Sequence, residues 1–356
     1  MIAFFAEFSL ALGVGQLAAS LFRLRAISLV GPRWRWGYVA GLALLWSGAS
    51  LLPPDVGALW LAPAASLLAL IVLAGVASCV PPEPTPEVIF QPNPAPEFVC
   101  RAVSIPDGEY SGPGLLIHPD EPGDKAICLI HGSGCHKSYF LWRIVPAFLA
   151  QGLTVLSIDL PGHGDYRGRP LAYPNALSAI PAAIAFLKDQ PGIKKVGLAG
   201  ISLGGAFAAR AVADGLAVDA LAMVQVPIEV TLNQTLVRRE TWATLRAPIL
   251  DLLQETTFLK LRKMWLDGGY VGEHNVVDVL QRLDPLAAAS KLGSTPTLLF
   301  YARRDAVARP AHAWALKQAA PHAEILLWPR LSHVTLVMHR AACACLARWL
   351  SERMPD

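Results

Sequence analysis

Charge is what this chain has least of. Asp, Glu, Lys and Arg make up 16% of its 356 residues while apolar residues reach 54%, against roughly a quarter charged in an average soluble protein. The net charge is +3, and no Lys/Arg-rich run interleaved with aromatics occurs, which sets nucleic-acid partners aside. Cysteines are few and unpaired by motif: Cys79, Cys100, Cys128, Cys135, Cys343 and Cys345 include no C-x-x-C and no Cys/His metal spacing. They read as free, mostly buried thiols, a usage that fits a reducing compartment, and no metal site is expected. A basic segment ahead of the first apolar run is also missing, and more apolar runs follow, so the start does not read as a secretory signal. Val76-Ala77-Ser78-Cys79 has the form of a lipoprotein cleavage box, but it stands behind the third apolar run and not behind a single signal.

What the chain has in excess is apolar sequence in its first eighty residues. Residues 2–22, 38–52 and 57–80 are apolar runs, and the first and third are long enough for a bilayer span of about 20 residues. The second is short and could be re-entrant. The expectation is a transmembrane region over 1–80 with three spans, in an integral protein of a plasma or bacterial inner membrane. Arg23, Arg25, Arg33 and Arg35 fall between the first two runs, which makes that loop cytoplasmic. Three spans then leave the rest of the chain in the cytoplasm, and two would reverse it. Seven of the seventeen residues 81–97 are proline. Such a segment favours extended polyproline II and resists packing, so it reads as a linker.

From residue 98 the pattern becomes short apolar strands alternating with helices, the mark of an α/β fold with a mostly parallel sheet covered on both faces. Strands are expected at 98–105 and 115–118 (a pair joined through Asp107-Gly108), then at 126–130, 154–158, 196–199, 220–226, 297–301 and 325–328. Helices are expected at 139–150, 179–188, 202–213, 311–319 and 336–350. Residues 226–292 break the alternation. Trp242 and other apolar residues at helical spacing there suit a cap over a site, or equally helices that finish the core.

In such sheets ligands sit past the carboxyl ends of strands, and four segments there carry chemistry. Gly200-Ile201-Ser202-Leu203-Gly204 lies between a strand and an Ala-rich helix. Its glycines let strand and helix approach closely while the turn lifts the serine hydroxyl clear of the sheet. A serine needs a base, and the base needs an orienting acid. Asp305 follows one late strand and His333 another, so Ser202 is the candidate nucleophile, His333 the base and Asp305 the acid. A salt bridge with Arg303, Arg304 or Arg309 is the competing role for Asp305. Asp284 is a rival acid better suited to a helix cap, and His312, His322 and His339 read as partly solvated surface histidines. His131-Gly132-Ser133-Gly134 follows a third strand, and the backbone N–H groups of Ser133 and Leu203 are candidates for an oxyanion hole. His131 itself reads as structural.

HGSG at 131–134, DLPGHGD at 159–165, GISLGG at 200–205 and the pair Asp305 and His333 resemble the α/β-hydrolase superfamily, closest to its esterase, lipase and acyl-peptidase branch. The likeness covers residues 98–356. It implies a doubly wound α/β-hydrolase fold with a helical cap, a Ser-His-Asp triad and no cofactor. Asp159 and His163 are more often structural in similar proteins. One departure is Ser332 before the base, where such proteins often carry glycine. The expected activity is cleavage of a small-molecule or lipid-like carboxylic ester or thioester through an acyl-serine. A membrane acyltransferase using the same acyl-enzyme, or a scaffold that keeps only the fold, are the alternatives.

Overall fold

The computed structural model describes residues 2–21, 34–51, 98–141, 144–244, 264–271 and 274–354. The expected span at 57–80, the linker at 81–97 and the middle of the 226–292 segment lie outside the described residues. The chain divides into two compact units.

The first unit holds two helices, α1 (Ile2–Leu21) and α2 (Trp34–Leu51). α2 starts four residues ahead of the apolar run expected from 38, so it takes in Arg35 and both Trp34 and Trp36. The helices close on small residues: a Cβ added to Gly41 would lie 2.7 Å from Leu17 Cγ, and Ser9 Oγ donates to Leu44 O at 2.8 Å. Ala6, Leu12 and Gln16 are buried, whereas Phe5, Val14, Val39, Leu42 and Trp46 face outward. Among the described residues no helix is long and apolar enough to cross a membrane.

The second unit is built on eight strands: β1 (Phe98–Asp107), β2 (Tyr110–Pro119), β3 (Lys125–Ile130), β4 (Thr154–Ile158), β5 (Lys195–Ile201), β6 (Ala220–Val224), β9 (Thr297–Ala302) and β10 (Glu324–Trp328). A two-stranded ribbon, β7 (Tyr270–Val271) and β8 (His274–Asn275), stands apart from them. The sheet order is β1-β2-β4-β3-β5-β6-β9-β10. β1 and β2 form the expected hairpin and β2 meets β4 antiparallel; every later pairing is parallel. β4, β6 and β9 are buried along their whole length. A strand covered on both faces has no polar side to alternate with, which is why these segments are continuous apolar runs.

α3 (Ile144–Leu149) and α10 (Arg340–Glu352) cover one face of the sheet. α4 (Ala179–Lys188), α5 (Leu203–Ala213), α7 (Val276–Leu283), α8 (Pro285–Ala289) and α9 (Pro310–Ala319) cover the other. α6 (Gln234–Thr244) follows β6. Within the segment expected as a cap, Val276, Val279, Leu280, Leu283, Ala288 and Ala289 join the main core, so residues 276–292 finish the core. Among the described residues, α6 and the stretch up to β8 make up much of the rest of that segment.

The pair β1 and β2 runs longer than expected, up to Asp107 and from Tyr110, and three other boundaries differ for local reasons. The helix expected over 139–150 is α3 alone, because Tyr139 N donates to His136 O in a turn ahead of it. The last helix starts at Arg340, not 336: His339 is its N-cap, accepting from Ala342 N, and is not a residue within the helix. β6 stops at Val224 because Gln225 takes a left-handed φ of 50°.

Candidate active site

β3 is flanked by β4 on one side and β5 on the other. Strand order reverses there, and the loops leaving β3 and β5 meet above the carboxyl edge. Gly132 in the first loop lies so close to the second that a Cβ on it would stand 3.3 Å from Ser202 Cβ. Ser202 joins β5 to α5 at φ 54° and ψ −119°, a conformation that costs a non-glycine residue on the order of 1–3 kcal/mol. Its own N–H holds the turn by donating to Val224 O at 2.8 Å. The flanking glycines are required by space. A Cβ on Gly204 would collide with His131 O and stand 2.7 Å from Ile130 O, and one on Gly205 would stand 2.7 Å from Gly200 O.

Asp305 and His333 come to this turn from β9 and β10. Arg303 N donates to Trp328 O and Arg304 N to Leu331 O, both at 2.9 Å, so the two loops are tied together before either side chain is reached. Asp305 is buried, and its Oδ1 accepts from Val307 N at 2.8 Å and Ala308 N at 2.7 Å. Oδ2 lies 2.8 Å from His333 Nδ1, and His333 Nε2 lies 3.1 Å from Ser202 Oγ. A carboxylate can only accept, so Nδ1 carries the proton and Nε2 turns a lone pair toward the serine. Burial opposes a charged His333, but the charge and hydrogen bond of Asp305, with the charge of Glu240, outweigh it and raise its pKa. Ser332 is buried, donates its N–H to Thr335 Oγ1 at 2.8 Å and does not have a positive φ. The position before the histidine therefore has no need of glycine here.

The competing assignments resolve by geometry. Arg309 pairs with Glu229 at 2.7 Å, leaving Asp305 to the histidine. Asp284 caps α8, accepting from Ala287 N at 3.1 Å. His312 is buried and not a surface residue: its Nδ1 accepts from Ile228 N and its Nε2 from Arg309, and burial together with Arg309 lowers its pKa. His322 is exposed.

His131 accepts from Leu160 N at 3.0 Å through Nε2 and reaches Gly132 O at 2.8 Å through Nδ1. Nε2 thus ties the β3 loop to the β4 loop, while Nδ1 is engaged within its own loop. Asp159 is buried against Lys137 Nζ at 2.8 Å, Lys137 N at 2.6 Å and Asp165 N at 2.8 Å. This cluster supports the loop and does not reach the serine through any of these bonds. Ser133 Oγ, in the loop beside the Ser202 turn, is buried without a hydrogen-bond partner.

Two residues here escape sequence reasoning. Gln225, fully buried, donates Nε2 to Asp305 Oδ2 at 2.8 Å and to Ser332 O at 3.0 Å. Its signal is that it stands directly past β6, where strand-end residues earn scrutiny. Glu240, also fully buried, accepts from Ala306 N at 2.8 Å. Nothing in the run Arg238-Arg239-Glu240 distinguishes it from a solvated helix face.

Residues 129–345 match the family model described as the alpha/beta hydrolase family. A 2-hydroxy-6-oxononadienedioate/2-hydroxy-6-oxononatrienedioate hydrolase of a Pseudomonas species is 33% identical over 116 residues, covering 32% of this chain and 40% of that protein. A pimeloyl-[acyl-carrier protein] methyl ester esterase of Nitrosomonas europaea is 26% identical over 247 residues, 61% of this chain and 92% of the esterase. Among solved structures, the Pyrococcus furiosus esterase Pf2001 superposes with a TM-score of 0.52 at 19% identity, over 78% of this chain and 98% of that one, a likeness of fold. With a model matched over well more than half its length, the chain belongs to the alpha/beta hydrolase family.

Proposed function

We propose that this protein hydrolyses a small-molecule carboxylic ester or thioester through an acyl-enzyme on Ser202. The observation that carries the reading is the continuous path from Asp305 Oδ2 through His333 to Ser202 Oγ, with links of 2.8 and 3.1 Å. His333 Nε2 takes the Ser202 proton as Oγ bonds to the substrate carbonyl carbon. It then returns that proton to the departing alcohol or thiol as the carbon–oxygen or carbon–sulfur bond breaks. Water repeats the cycle on the acyl-serine, releasing the acid and the free serine. Asp305 holds the imidazole tautomer and stabilises the imidazolium. The N–H groups of Leu203, at the start of α5, and Ser133 are assigned to the negative oxygen that develops. A panel of p-nitrophenyl esters tests the reading with wild type and Ser202→Ala. Equal turnover by both, or no labelling of Ser202 by a fluorophosphonate, sinks it. Product transferred to an added alcohol or amine in place of water would mark an acyltransferase built on the same acyl-enzyme.

We also propose that residues 1–80 tether this hydrolase unit to a membrane, with 81–97 as its spacer and the catalytic unit on the cytoplasmic side. Support comes from the uncharged run at 57–80 and from the outward Phe5, Val14, Val39, Leu42 and Trp46 on a helix pair that already buries its small-residue seam. Extraction of the full chain into the soluble fraction by alkaline carbonate would overturn the tether.

A further inference from the structure

A carboxylate withdrawn from water costs several kcal/mol unless something answers it. On α6, Arg238, Arg239 and Trp242 are exposed and Leu236 and Val237 pack inward, yet Glu240 is fully buried with them. Its Oε1 accepts from the N–H of Ala306, the residue directly after Asp305, at 2.8 Å. One side chain of α6 thus holds the loop that carries Asp305. Among the described residues, Asp305 repels the charge of Glu240 and His333 favours it.

We propose that Glu240 is a positioning residue that pins the Asp305 loop to α6 and sets a second carboxylate behind the imidazole. This rests on the assignment of Ser202, His333 and Asp305 above and extends it to the helix after β6. When His333 takes the serine proton, the imidazolium is stabilised by Glu240 as well as by Asp305. Gln225 holds Asp305 from the end of β6 but is neutral, so among the described residues charge support beyond Asp305 falls to Glu240. Burial and Asp305 push the Glu240 carboxyl up to about 7, so this support fades as pH falls through neutrality.

The test uses the full chain with Glu240→Gln and Glu240→Ala. Glutamine keeps an acceptor for Ala306 N but removes the charge. With it, kcat falls about tenfold, as expected for a transition-state charge contact, KM stays within about twofold, and the His333 titration moves to lower pH. Alanine removes the contact as well, and kcat falls about a hundredfold. The His333 titration is read by NMR with carbon-13 histidine in the Ser202→Ala background, assigned with His333→Ala, so it does not depend on turnover. A glutamine variant matching wild type in kcat and in the His333 midpoint overturns the inference, even if alanine inactivates by loosening the fold. If no Ser202-dependent turnover is found but the midpoint still moves, the proposed reaction fails while the placement of Glu240 behind His333 stands.

Discussion

Gln225 donates its amide to the same Asp305 oxygen that receives Nδ1 of His333, each at 2.8 Å. Gln225 reaches that point from the end of β6 in a left-handed conformation, with its second contact on Ser332 O. Asp305 is therefore held from three sides: its own loop, His333 and the end of the neighbouring strand. An orientation fixed this way leaves the carboxylate little freedom to rotate.

Gln225→Leu keeps most of the volume and deletes the donor. A hydrogen bond to a charged group contributes about 1.5–3 kcal/mol, so kcat should fall roughly ten- to hundredfold with KM nearly constant. Steady-state kinetics on the best ester from the panel reads this. An unchanged kcat would mean that Asp305 needs no support from β6.

Asp305→Asn should lower kcat by about ten-thousandfold, because an amide can fix the wrong imidazole tautomer. Ser202→Ala should cost at least as much, and the double variant little more than the worse single one, since the groups act as a unit. Additive losses in the double variant would argue that the two residues work separately.

The pH profile follows from His333. Its pKa lies above the ordinary 6.5, and the base must be neutral to act, so kcat/KM should fall on the acid side with a midpoint above 6.5. The sign for stability is opposite. A histidine whose folded pKa is raised contributes stability that is fully present below its unfolded pKa and lost as pH rises through the folded value. The stability difference between wild type and Asp305→Asn, from urea unfolding at several pH values, should shrink over the window where activity grows. A difference that grows with pH there would contradict the pairing.

Lys137→Met removes the only side-chain cation bonded to buried Asp159 among the described residues. Breaking one side of a buried pair costs about 3–5 kcal/mol, so the second unit should melt well below wild type. Since Asp159 supports the loops beside the serine, and not the serine itself, fluorophosphonate labelling of the folded fraction should persist at low temperature. Loss of labelling in protein that is still folded would move this cluster into the reaction.

Much of the second unit was legible because its strands are buried on both faces and leave short apolar runs between glycine- and proline-marked turns. Ser202 announced itself through Gly200, Gly204 and Gly205, whose missing side chains answer to backbone atoms a few ångströms away. Asp305 and His333 were legible by order and by their place past strand ends. The helix at 139–150 was misjudged because Tyr139 and Phe140 carry the right polarity for a helix but are spent in a turn. His312 was misjudged because an amphipathic pattern does not say which neighbour, here Ile228 N and Arg309, covers a histidine.

By itself the linear chain determined the strand–helix alternation, the strained serine turn and the places of Asp305 and His333 past strand ends, since each depends on local sterics and on burial periodicity. Tertiary structure alone decided that Gln225 meets Asp305 and that Glu240 meets Ala306 beside it. Those contacts join residues that lie 80 and 66 positions from their partners. A hydrogen bond across such a separation leaves no periodic trace, because it depends on how strands order themselves in the sheet and not on what precedes or follows in the chain.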